Sequence, residues 1–278
     1  MQVIDTHFHL WNLDDKIYSW LNQDMKKIYK NFTFKDFSKA SDCVKVESCI
    51  LVQAAASKKE ALILLKHAKE NVIIKGVITW ADMLSPTCLD ELKILAKNKY
   101  FKGIRPMLAD IRDINFINNP NFYKIFEYLS ENEFIFEALI FPKHLKNINN
   151  LSKKFPNLKI IINHGAKPDI KNHTKEDFEF WKKDLMFCAK NKNIFCKISG
   201  LLSQANTSAK YEKIEKYLSA LLDIFGSTRL LFGSDYPVVN ENGSYLLWTK
   251  FIEKFLAGLD EDEKNSILHL NAKRIYRI

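Results

Sequence analysis

The chain has 278 residues, 47% hydrophobic and 27% charged, with 8 Gly and 7 Pro, which fits a globular protein and excludes a disordered or collagen-like one. No run approaches the roughly 18 uninterrupted apolar residues of a membrane span, and the opening MQVIDTHFHLW lacks the basic start and apolar stretch of a secretory signal; no membrane association and a cytoplasmic location are expected. The net charge of +9 comes from lysines spread along the chain with only five arginines, and no helix-turn-helix or RNP-like motif is visible, so no nucleic-acid partner is expected.

In chain order, strand-length apolar or β-branched runs occur at 3–9 (VIDTHFH), 49–54 (CILVQA), 73–80 (IIKGVITW) and 101–108 (FKGIRPML). Four more follow at 134–140 (FIFEALI), 158–164 (LKIIINH), 193–200 (NIFCKISG) and 229–235 (RLLFGSD). Near-continuous apolarity is what parallel strands covered on both faces require. Amphipathic segments lie between them, at 58–70, 90–98, 121–132, 143–155, 175–191 and 209–225, and 260–278 reads as a closing helix. In the first of these, Ala61, Leu62, Leu65 and Ala68 form the apolar side. Ser57 ahead of Glu60, and Thr174 ahead of Asp177, predict capping boxes. Strand alternating with helix eight times predicts an α/β fold, a single-domain (β/α)8 TIM barrel over 1–278, with a doubly wound sheet as the alternative. The long stretch between His9 and Cys49 predicts an extended first βα loop over the barrel mouth. Five cysteines, odd in number and widely spaced without a C-x-x-C, exclude a disulfide framework or zinc-finger module.

Polar residues gather where these strands stop. Asp5, His7 and His9 at i, i+2, i+4 are expected on one face of strand 1, and inside a barrel such groups are costly unless hydrogen-bonded or metal-bound. Strand 2 closes on Gln53, strand 3 on Trp80, strand 4 holds Arg105, strand 6 ends in Asn163-His164, strand 7 carries Lys197 and Ser199, and strand 8 ends in Ser234-Asp235. Enzymes on this fold keep their sites at that mouth. Bland alternatives exist for each residue. An isolated H-x-H is a common structural pair, and Gly-Ser-Asp-Tyr-Pro also reads as a turn around Asp235. Trp11, Trp20 and Trp80 read as packing residues, Lys197 as a lysine buried against a carboxylate, and His67, His144, His173 and His269 as surface or packing histidines. No P-loop, dinucleotide-binding, H-E-x-x-H or nucleophile-elbow motif is present.

The order of stations is itself informative. Ile4-Asp5-Thr6-His7-Phe8-His9-Leu10-Trp11 is followed by Leu51-Val52-Gln53-Ala54, Gly76-Val77-Ile78-Thr79-Trp80-Ala81-Asp82 and Gly103-Ile104-Arg105-Pro106-Met107-Leu108. Asn163-His164-Gly165-Ala166-Lys167-Pro168, Lys197-Ile198-Ser199-Gly200-Leu201, Phe232-Gly233-Ser234-Asp235-Tyr236-Pro237 and Asn271-Ala272-Lys273-Arg274-Ile275-Tyr276 complete the series. Together they resemble, over essentially the whole chain, the amidohydrolase-2 branch of the amidohydrolase superfamily, in the sugar-lactonase-like subgroup of L-fuconolactonase and L-rhamnonolactonase type. Two positions depart from that pattern: Asn163 stands where the family often has Asp, and Glu137 where a shorter acid is common.

The resemblance implies a TIM-barrel hydrolase that opens a small sugar-acid lactone at the C-terminal mouth. Lactone hydrolysis needs a base for the water and donors for the carbonyl oxygen, which makes Asp235 the candidate general base and His164 and Arg105 the candidates to hold that oxygen, with Gln53, Trp80, Trp20 and Arg105 contacting the small-molecule lactone. His7, His9, His164 and Asp235 either hold a single divalent ion, zinc, or donate hydrogen bonds directly. No residue fits a bridging carboxylated lysine, so one ion at most is implied. Decarboxylation or amide hydrolysis on the same barrel, or an inactive binding module, are the alternatives. The lactone's identity and a homo-oligomeric state stay open.

Overall fold

The computed structural model describes residues 1–205 and 211–278. Eight parallel strands form the barrel: β1 Gln2–Phe8, β2 Lys45–Val52, β3 Ile74–Thr79, β4 Phe101–Ile104, β5 Ile135–Ala138, β6 Lys159–Ile162, β7 Ile194–Ile198 and β8 Leu230–Phe232. Each pairs with the next in sequence order. Beyond the last strand the chain returns to the first: Thr6 Oγ1 donates to Phe232 O (2.7 Å), Asp235 N to His7 O (2.8 Å) and His9 N to Tyr236 O (2.7 Å). This is a TIM barrel.

The apolar strands serve two cores. Val3, Phe8, Cys49 and Leu51 point outward into the layer shared with the helices. Ile4, Ile50, Val52, Ile78, Ile135, Ile161, Phe195 and Leu231 fill the lower lumen, and Ala272, Ile275 and Tyr276 close it from below. Filled lumens of branched residues are characteristic of this architecture.

The helices are α1 Phe34–Ala40, α2 Lys58–Glu70, α3 Cys88–Leu95, α4 Tyr123–Glu131, α5 Leu145–Lys154, α6 Lys175–Cys188, α7 Tyr211–Phe225 and α8 Tyr245–Leu256. None of the described helices is long and apolar enough to cross a membrane. The closing segment is not one uniform helix. It runs as α9 Glu261–Asn265, a π-turn over Ser266–Leu270, and α10 Asn271–Tyr276. The helix α8, not foreseen from sequence, buries Tyr245, Trp248, Ile252 and Phe255 on one side. Residues 209–210 of the helix expected at 209–225 lie outside the described residues.

Two local expectations fail for physical reasons. Thr174 and Asp177 form their reciprocal cap, but Ser57 makes no side-chain cap bond. Glu60 instead turns inward and accepts from the backbone N–H groups of Ala54 (2.9 Å) and Ala55 (2.8 Å), fixing the loop after β2. On α2, Leu64 rather than Leu62 faces the core, and Leu62 is 68% exposed. The long first loop carries α1, capped by Thr33 and Asp36, and is pinned at its base by the Trp11–Phe32 backbone bridge.

Candidate active site

The site begins with a defect in β1. Asp5 pairs with Cys49 and Phe8 with Leu51, so one extra residue of β1 is accommodated between them. Such a bulge reverses the alternation of side chains. Asp5 therefore does not share a face with His7, as the simple i, i+2 spacing predicts. It points outward, accepting from the N–H groups of Ser234 (2.9 Å) and His7 (3.1 Å) and from the Tyr245 hydroxyl of α8 (3.2 Å). Burial pushes its carboxyl up to about 6 against those donors. His7 and His9 do turn into the lumen, above the layer of Ile4 and Ile50.

Asp235 sits in the left-handed region (φ 58°) just past β8, and its Oδ1 lies 3.4 Å from His9 Nε2 and 3.7 Å from both His7 Nε2 and His164 Nε2. All four side chains are nearly inaccessible. Burial raises the Asp235 carboxyl, but His164, His9 and Arg105 outweigh it and hold the group below its ordinary range. Burial lowers all three histidines, His164 to about 4. The result is an anion facing three neutral imidazoles.

Each ring is held from behind. His9 Nδ1 donates to Val52 O (2.8 Å), which puts the proton on Nδ1 and leaves an Nε2 lone pair facing Asp235. His164 Nδ1 pairs with Ser199 Oγ (2.8 Å). His7 is flanked by cations, with Arg105 Nη1 3.2 Å from its Nε2 and Lys197 Nζ 3.2 Å from its Nδ1. A neutral imidazole has one lone pair, so only one of these contacts is a hydrogen bond.

Beneath the rings lies a buried polar network. Lys197 Nζ donates to Glu137 Oε1 (2.7 Å) and Oε2 (2.8 Å) and to Thr6 O (2.7 Å). Tyr276, from α10, donates to Glu137 Oε1 (2.6 Å), and Asn163 Nδ2 to Oε2 (2.9 Å). Burial brings Lys197 down to about 8 although Glu137 opposes the shift. The Asn at 163 thereby has a reason. An Asp there would set a second carboxylate against Glu137, whereas an amide both donates to it and accepts from Arg105 Nη1 (3.4 Å).

Above the rings opens a cavity of about 160 Å³, lined by His9, Arg105, His164 and Asp235 together with Trp20, Asp110, Lys167 and Gln204. The structure thus brings Trp20 to the cavity, its indole N–H anchored on Ala54 O (2.7 Å). Gln53 and Trp80 are not in the lining. Gln53 is buried behind Arg105, donating to Arg105 O (2.6 Å) and accepting from Arg105 Nη2 on its backbone carbonyl. Asp110, Lys167 and Gln204 stand on loops after β4, β6 and β7 and follow no strand periodicity. For Lys167 the signal is the backbone: His164, Gly165, Ala166 and Lys167 all have positive φ (55°, 58°, 65° and 48°). A left-handed turn costs an L-residue about 1–2 kcal/mol per position, and strain of that kind gathers at functional sites. Gly200 (φ 64°) leans against this turn; a Cβ there would lie 2.5 Å from His164 Nδ1.

The amidohydrolase family model matches residues 4–278. The chain belongs to the amidohydrolase family. This amidohydrolase is 29% identical to the L-fucono-1,5-lactonase of Burkholderia ambifaria over 99% of its own length and 95% of that protein's. It is 25% identical to the L-fucono-1,5-lactonase of Burkholderia multivorans, over 99% and 96%. A crystal structure of an amidohydrolase from Burkholderia multivorans with bound zinc superposes with a TM-score of 0.91 at 25% identity, covering both chains fully. The protein is a hydrolase of this family, many members of which bind a divalent metal.

The donor set of this amidohydrolase fits such an ion. His7, His9 and Asp235 place one ligand atom each within 4.8 Å of one another, all buried. Two imidazole nitrogens and a carboxylate oxygen are zinc-type donors, and His9 Nε2 lies 3.2 Å from His7 Nε2 and 3.4 Å from the Asp235 carboxylate. His164 falls outside this compact group, although its Nε2 lies 3.7 Å from the same Asp235 Oδ1.

Proposed function

We propose that the protein hydrolyses a small sugar-acid lactone of the L-fucono- or L-rhamnono- type, with Asp235 as general base. The observation that carries the reading is the Asp235 carboxylate held among His7, His9 and His164 at the floor of a cavity. The names of the curated relatives support the substrate class, including an L-rhamnono-gamma-lactonase from Scheffersomyces stipitis that is 27% identical over 74% of this chain and 70% of that protein. The lining of Trp20, Asp110, Lys167 and Gln204 suits a hydroxylated ring, with an indole face for its C–H side and polar groups for its hydroxyls.

Ester hydrolysis needs a nucleophilic water, an electrophilic carbonyl and a place for the proton. Asp235 takes a proton from water as the water oxygen bonds to the lactone carbonyl carbon, and the carbonyl electron pair moves onto its oxygen. His164 and Arg105, both lining the cavity, face that oxygen. When the tetrahedral centre collapses, the bond to the ring oxygen breaks and the proton on Asp235 passes to it, leaving the open hydroxy acid. The depressed pKa of Asp235 suits this second half, because a carboxyl that is a strong acid returns its proton readily. A divalent ion on His7, His9 and Asp235 would supply carbonyl polarisation.

The test is a panel of aldonolactones, L-fuconolactone, L-rhamnonolactone and galactonolactone, followed by proton release. Acceleration on at least one is expected. No acceleration on any, or release of carbon dioxide from benzoate-type acids instead, overturns the reading. Metal analysis with chelation tests the ion separately: loss of activity with the metal, and recovery on adding zinc, is the expected outcome for an ion-dependent site.

A further inference from the structure

The cavity is lined by two cations, and the protein treats them differently. Arg105 is committed to the barrel wall: Nη1 lies on His7 and Asn163, Nη2 on the Gln53 carbonyl, and Nε is enclosed without a partner. The Lys167 ammonium has no hydrogen bond or ion pair among the described residues. It lies 5.0 Å from the Phe141 ring centroid and reaches the cavity. The left-handed turn explains how it gets there. One helical turn from His164 to Lys167, closed by Lys167 N donating to His164 O (2.9 Å), carries both side chains to the same wall. An extended or right-handed path would send Lys167 elsewhere, so the strained backbone serves the lysine as well as the histidine.

We infer that Lys167 is the residue that grips the ester end of the ligand once it is opened, its ammonium bonding the new carboxylate. This rests on the lactonase reading for the identity of the ligand. Burial pushes the Lys167 ammonium below its ordinary range while Asp235 and Asp110 oppose that shift, and its charge is felt by the His164 ring, so it belongs to the same field as the reacting carboxylate. Hydrolysis converts a neutral ester into an anion beside Asp235. A free ammonium on the cavity wall offsets that new charge, whereas Arg105 would first have to give up contacts that hold the wall.

Equilibrium binding of L-fuconate and of the uncharged polyol L-fucitol to the full-length protein tests this. The intact protein should prefer L-fuconate by about tenfold or more. Lys167→Met should remove that preference, weakening L-fuconate far more than L-fucitol, and Lys167→Arg should keep most of it. Preference retained in Lys167→Met, or no preference in the intact protein, overturns the inference. Hydrolysis of L-fuconolactone by the intact protein is scored separately. Its absence sinks the lactonase reading, while the carboxylate preference still decides the role of Lys167.

Discussion

The lumen of this barrel is two materials stacked in one tube. Below, Ile4, Ile50, Val52, Ile78, Ile135, Ile161, Phe195 and Leu231 pack by dispersion and burial alone. Above, on continuations of the same strands, His7, His9, Arg105, Glu137, His164, Lys197 and Asp235 are equally inaccessible but held by directed contacts. The lower half tolerates volume-conserving change because no atom there needs a specific partner. The upper half tolerates little, because each buried polar group depends on the next. The proposed chemistry sits in the upper half alone, and Tyr276 and Glu137 are where the two touch.

Substitutions chosen from each half sharpen this contrast. Asp235→Asn keeps the shape and removes the base, so turnover should fall by about 10²–10⁴-fold with circular dichroism unchanged; a near-normal rate in a lactone assay removes Asp235 from that role. Lys197→Met leaves Glu137 ionised and buried, and denaturant unfolding should show a loss of about 3–5 kcal/mol. Adding Glu137→Gln should return part of it, and failure to do so would mean that the pair is not the cause. Gly200→Ala forces a methyl to 2.5 Å from His164 Nδ1 and 3.1 Å from Asp235 Oδ2 at a positive φ. Displacing the ring should cost about 100-fold in kcat/KM.

At the rim, Glu60→Gln sets an amide N–H₂ against a backbone N–H, at a cost of about 1–3 kcal/mol. Burial raises the Glu60 carboxyl from 4.5 to about 7. Its favourable contribution is thus full below pH 4.5 and lost as pH rises through 7. Only the native side chain carries that loss, so the stability gap to Glu60→Gln should narrow between pH 4.5 and 7, measured by thermal unfolding. In the lower half, Ile161→Val should cost about 0.5–1.5 kcal/mol and leave turnover alone. A large rate effect there would erase the distinction between the halves.

The two halves also differ in how far the sequence discloses them. Strands covered on both faces need apolar residues at successive positions, which is why eight such runs are visible and why they map onto β1 to β8 with shifted ends. Helix α8 was readable too: Ser244 caps it, and Tyr245, Trp248, Ile252 and Phe255 recur at helical spacing, but the polar turn before it draws the eye to a loop. The phase of Asp5 was not readable, because a bulge inserts a residue that no local composition announces. Gln53 and Trp80 end their strands as Arg105 does, yet one supports that arginine and the other stays outside the cavity lining. Strand-end position brings a residue near the mouth, and only the loop path decides which way it points. For the same reason Asp110, Lys167 and Gln204 are invisible to periodicity: turns place them, not alternation.

The bond from Tyr276 to Glu137 spans 139 positions of sequence and joins the last helix to the middle of the barrel. During synthesis the carboxylate and its lysine partner emerge well before that phenol. Until α10 docks, the barrel holds a charged pair over an unsealed lower end.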